Sequence, residues 1–170
     1  MAVQTEMRRG KKPGILIAEI YFRPAELDIS DFSRADLVFK EVQHSGMSYE
    51  VRAFLNNPEA DETTPRNLES EGYGGRFVVF GHGGCYGDIG HCDIPTERRG
   101  PYDLRLPHPL TPQTNIITVT RALEHVLHQG AGELTSVTLV PISKDPIREN
   151  RGLTEDLFKF SEVELLTYYG

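Results

Sequence analysis

The sequence predicts a mostly β fold: a two-sheet antiparallel β-sandwich carrying one short helix. Two observations lead there. Runs of β-branched, aromatic and alternating apolar residues recur along the chain between clusters of Gly, Pro, Asn and Asp, which is strand-and-turn patterning. Only one stretch has the spacing of an amphipathic helix. The 170 residues, 38% of them hydrophobic, suffice for one soluble core of ordinary domain size.

Residues 14–22 (GILIAEIYF) open the series as a strand that Pro24 ends, and residues 35–42 (ADLVFKEV) alternate apolar with polar. His44, Ser45 and Gly46 make a turn, after which residues 48–55 (SYEVRAFL) alternate again, so the two flanking strands are predicted to pair as a hairpin. Residues 57–75 hold two prolines, three glycines and five acidic residues, the composition of a solvated excursion. A short apolar strand follows at 76–80 (RFVVF), then a Gly-rich loop to about residue 100. Pro107, Pro109 and Pro112 exclude a helix from the extended stretch that comes next. Residues 115–120 (NIITVT) are strand-like. The helix is expected over 121–129, with Thr120 as its cap, Gly130 as its stop, and Ala122, Leu123, Val126 and Leu127 as its apolar stripe. Strands at 134–142 and 158–169 complete the set. No internal repeat, linker or second hydrophobic unit interrupts it, so residues 1–170 are expected to form a single domain with 1–13 as a flexible tail.

Charge narrows the function classes. Eighteen Lys and Arg stand against 25 Asp and Glu, for a formal charge of -7. A nucleic-acid binder needs a basic face, and the one basic cluster (Arg8, Arg9, Lys11, Lys12) falls in the expected tail. No apolar run approaches the roughly 20 residues of a membrane span. The apolar residues 15–18 are too short for a signal-peptide core, so a cytoplasmic location is expected. In a reducing compartment, two cysteines more often serve as thiols, metal ligands or redox groups than as a structural bridge.

Both cysteines, Cys85 and Cys92, fall with His82 and His91 inside eleven residues that end a strand and begin the Gly-rich loop. Soft thiolates beside imidazoles suit a zinc or copper ion, and His108, between two prolines, is a candidate extra ligand. Asp88 and Asp93 could orient the imidazoles as second partners of their ring N–H groups. The spacing His-x₂-Cys is that of a metal knuckle, but His91 and Cys92 are adjacent, and neighbours in a strand point to opposite faces. Three readings therefore stand open: a metal site using at least three of these residues, a Cys85–Cys92 disulfide stapling the loop, and buried thiols with hydrogen-bonded histidines around a tight turn. The metal site leads.

Other constellations are poorer. Glu124, His125 and His128 lie on the polar side of the helix, where a solvated face is the ordinary reading. His44 reads as a turn residue. The motif Gly81-x-Gly-Gly lacks the helix and the Lys-Ser/Thr pair of a phosphate-binding loop, and no Gly-x-Ser-x-Gly elbow exists. Cys85 has histidines nearby, but spacing alone does not make a nucleophile.

Residues 48–56 (SYEVRAFLN), 73–82 (YGGRFVVFGH), 121–123 (RAL) and 136–141 (SVTLVP), in that order, resemble the β-sandwich domain that follows the catalytic domain in tyrosinases and plant polyphenol oxidases. The resemblance spans about residues 35–142, and its motifs are mostly structural. Tyrosinase catalysis uses two coppers held by six histidines on a four-helix bundle, and no histidine of this chain matches that set. The resemblance thus implies an accessory sandwich that packs against a catalytic domain and shields its entrance; in some members a cysteine-containing segment delivers copper. The expected function is a non-catalytic sandwich binding Zn or Cu through His82, Cys85, His91, Cys92 and His108. Its expected partner is a tyrosinase-like catalytic protein or a second copy of itself, with neither nucleic acid nor membrane involved. Two alternatives remain: a small metalloenzyme with an open metal position in the same loop, and an oligomer-forming structural module stapled by Cys85–Cys92.

Overall fold

The computed structural model describes residues 5–12, 14–20, 32–44, 47–81, 100–102, 111–128, 132–143 and 157–170. Alternation of apolar and polar residues produces eight strands among these: β1 (Thr5–Arg9), β2 (Leu16–Ile20), β3 (Phe32–Val42), β4 (Tyr49–Leu55), β5 (Tyr73–Val79), β6 (Gln113–Thr118), β7 (Ser136–Ile142) and β8 (Glu162–Tyr169). They form two antiparallel sheets, five-stranded β1-β2-β7-β4-β5 and three-stranded β6-β3-β8. The predicted two-sheet sandwich is the fold observed. Its core is the set of inward positions of both sheets, including Leu37, Phe39, Val51, Ala53, Val79, Val137, Leu139, Val163 and Leu165. Among the described residues, no helix is long and apolar enough to cross a membrane.

Several local expectations are corrected. Strands β3 and β4 do not pair as a hairpin: β3 bonds to β6 and β8, and β4 to β5 and β7. The connection between them crosses from one sheet to the other, where Tyr49 donates its hydroxyl to the Gln43 carbonyl at 3.1 Å and His44 is buried. Alternation states which face of a strand is apolar, not which strand lies beside it. Residues 5–9, assigned to a flexible tail, form β1 and pair with β2 from Thr5↔Ile20 to Arg9↔Leu16. Near its end β3 carries a bulge at which Glu41 takes a φ of 53°, and this returns Val42 to the core side.

Residues 56–67 fold back over the outer face of the large sheet. There Ala60 joins Ile15, Phe54 and Val140 in a second small core, against which Tyr73 and Ile142 pack. The excursion also contains a second helix, α1 (Leu68–Glu71), whose cap Asn67 accepts from the Ser70 amide at 2.9 Å. Helix α2 (Thr120–His128) buries Ala122, Leu123 and Val126 against one end of the sandwich. Thr120 is its first helical residue instead of its cap, because the Thr120 Oγ1 accepts from the Ala35 amide of β3 at 3.0 Å.

Candidate functional site at the loop end of the sandwich

Opposite α2, three connections leave the sandwich together. The pairings Tyr49↔Val79 and Glu50↔Ile142 place the start of β4 beside the ends of β5 and β7. In the other sheet, Val42↔Gln113 and Lys40↔Glu162 place the end of β3 beside the starts of β6 and β8. The β3–β4, β5–β6 and β7–β8 connections therefore share one end of the molecule.

The β3–β4 connection ties this end together. Ser48 Oγ accepts from the Gly81 amide at 3.0 Å, where the chain leaves β5. His44 Nε2 lies 2.8 Å from the Thr111 carbonyl oxygen, where the chain returns to β6, so this nitrogen carries the proton and donates it. Ser143, just past β7, donates from Oγ toward the Met47 sulfur and the Ser48 carbonyl, each at 3.4 Å. Beneath lies an aromatic floor. Phe39 meets Phe77, Phe158 and Phe160 with ring centroids 5.2, 5.7 and 5.8 Å away, and Phe158 stacks on Phe160 at 4.4 Å. Tyr49 packs against Phe158 at 6.1 Å, and burial pushes its hydroxyl up to about 12. Phe80, just past β5, and Tyr102 are strongly exposed.

His82, Cys85, His91, Cys92 and His108, the residues expected to hold a metal ion, lie outside the described residues, as do Asp88 and Asp93. What is described is the frame from which they are strung, Gly81 on one side and Thr111 on the other. Among the described residues, no group of three or more His, Cys, Asp or Glu side chains is placed to hold a metal ion. Glu124 and His128 are exposed on α2 and His125 is half-buried, at the far end of the sandwich. His44 is the functional-frame residue that sequence reasoning passed over. Its bond joins positions 67 residues apart, and no local pattern announces such a contact.

No protein-family profile matches the chain, and no curated protein matches it. Among solved structures it is similar to recombinantly expressed latent aurone synthase, a polyphenol oxidase. The similarity has a TM-score of 0.46 and 17% identity over 99% of this chain and 28% of that one. The same enzyme co-crystallised with hexatungstotellurate(VI) gives a TM-score of 0.43 and 18% identity, over 98% of this chain and 24% of that one. The chain thus spans 24–28% of the length of the polyphenol oxidase chains it matches.

Proposed function

We propose that the chain is a non-catalytic β-sandwich of the tyrosinase accessory kind, and that its His/Cys segment binds a copper or zinc ion. The observation that carries the metal half is the tethering of that segment at both ends. Gly81 and Thr111 are each hydrogen-bonded to the β3–β4 connection, beside a cluster of packed aromatic rings. Bringing donors together within a closed loop costs less entropy than ordering a free chain. The donor set of two imidazoles and two thiols, with His108 as a fifth group, matches the chemistry of both metals. The ion would need the thiols deprotonated and one nitrogen of each imidazole free, so binding strengthens as pH rises.

The accessory half is supported by where the family-like segments fall. Residues 48–56, 73–82 and 136–141 coincide with β4, β5 and β7, three neighbouring strands of one sheet. The chain's own work would be to hold an ion at the loop end and present that end to a tyrosinase-type catalytic protein or to a second copy.

Elemental analysis and thiol titration on protein purified without chelator test this. The expected result is about one Zn or Cu per chain, lost in His82→Ala and in Cys85→Ser while the circular dichroism stays that of the parent. Protein that contains neither metal and takes up neither would sink the metal half. If it also lacked free thiols, the loop would be stapled by Cys85–Cys92. Sedimentation alone and with a tyrosinase-type catalytic domain tests the partner; a monomer under both conditions would overturn it.

A further inference from the structure

We propose that the groove between α1 and the start of α2 binds a compact doubly charged oxyanion, a phosphate or sulfate group, between Arg66 and Arg121. The groove has a volume of about 500 Å³, and Arg66, Asn67, Glu69, Thr118, Thr120 and Arg121 bring its polar groups. It lies at the end of the sandwich opposite the β3–β4 connection, and the inference stands independently of the metal reading.

The two arginines line the groove from different segments. Arg66 belongs to the excursion that covers the large sheet, and Arg121 to α2. Arg121 makes no ion pair among the described residues. Arg66 donates from Nη2 to Glu50 Oε1 at 3.0 Å, but that carboxylate is shared. Arg52 Nε donates to it at 2.7 Å, and Arg76 Nη1 donates to its other oxygen. Three guanidiniums on one carboxylate leave a surplus of two positive charges, in a chain whose net charge is -7. Of these, Arg66 lines the groove itself, where it and Arg121 stand against one carboxylate of the lining, Glu69.

Neutral donors complete the set. Asn67 uses Oδ1 to cap α1, which leaves its amide N–H₂ as a donor. Thr120 Oγ1 accepts from Ala35 and keeps its own proton to give. A tetrahedral oxyanion carries up to two negative charges and spreads its oxygens in three dimensions, so it can meet arginine forks from two segments at once. Charge and shape together favour phosphate or sulfate over a singly charged, planar carboxylate.

The test is amide NMR titration of the full chain with inorganic phosphate and with sulfate, against chloride at matched ionic strength. The expected result is saturable shifts at the amides of Arg66, Gly74, Thr118 and Arg121. Affinity should fall at least tenfold in Arg66→Gln and in Arg121→Gln, and stay unchanged in Lys159→Gln, which removes an exposed cation elsewhere. Arg121→Gln breaks no ion pair among the described residues, and a circular dichroism spectrum and melting temperature equal to the parent's separate its loss of binding from loss of fold. Phenyl phosphate provides a further arm. Tighter binding than inorganic phosphate identifies a phosphate group carried on an organic molecule, and equal binding identifies the free anion. Shifts that grow linearly, that chloride reproduces, or that persist in both arginine variants would overturn the proposal.

Discussion

Two residues show how single side chains, or their absence, hold this fold. Asn56 takes a φ of 53°, a conformation that asparagine tolerates better than most residues. From there its Oδ1 accepts from the Thr135 amide at 2.8 Å, and its Nδ2 donates to the Glu133 carbonyl at 2.7 Å. The end of β4 is thereby knotted to the start of β7. Gly72 closes α1 at φ 68° and ψ 28°, in the left-handed region. Its carbonyl accepts from the Leu55 amide at 2.7 Å, so the two backbones touch, and a Cβ there would run into the Leu55 carbonyl oxygen. Gly72→Ala is expected to destabilise the protein by about 1–3 kcal/mol, read as a lowered denaturant midpoint at unchanged slope. A stability equal to the parent's would show that the turn can shift without cost.

At the scale of elements, ion pairs fasten the β1–β2 hairpin to the excursion that follows β4. Lys12 pairs with Asp61 and lies 3.5 Å from Glu62, and Lys11 pairs with Glu59 at 2.6 Å. The Lys12 ammonium, with the Thr63 hydroxyl and amide, holds the Asp61 carboxyl well below the usual carboxylate range. The unfolded chain binds this proton near pH 4, while the folded protein binds it only at lower pH. Between the two values the unfolded state carries more protons, so stability rises with pH there. The contribution is complete above about pH 4 and is lost as pH falls through the folded value. Lys12 is raised by the same partner, so its share is present at neutral pH and is lost only in strong alkali. Asp61→Asn is expected to flatten the acid limb of stability below about pH 4, measured by denaturant unfolding across pH. An acid limb as steep as the parent's would place the effect on other carboxylates.

On the scale of the whole molecule, the aromatic floor is where the sheets and the loop end meet. Phe39 is fully buried on β3 and touches rings from β5 and from the segment before β8. Removing it leaves a cavity among rings that cannot all collapse into it. Phe39→Ala is therefore expected to cost about 3–5 kcal/mol, seen as a lowered melting temperature. Because the Ser48–Gly81 and His44–Thr111 bonds stand on this floor, faster hydrogen exchange at the Gly81 amide should accompany the loss. Retained protection there would show that the loop end holds independently of the core.

The sandwich class, the identity of most strands and the apolar stripe of α2 were legible in the residue pattern, because all of these rest on periodicity within a few residues. It also singled out the His and Cys residues proposed to hold a metal ion, since donor chemistry belongs to residue type. Long-range packing placed β3 and β4 in different sheets, made residues 5–9 an edge strand, and brought His44 to Thr111 and Ser48 to Gly81. The same packing gathered Arg52, Arg66 and Arg76 around Glu50 and brought Arg66 and Arg121 to the lining of one groove. Each of these contacts beyond a single turn is set by which surfaces the whole core can bury together, and local alternation carries no record of that choice.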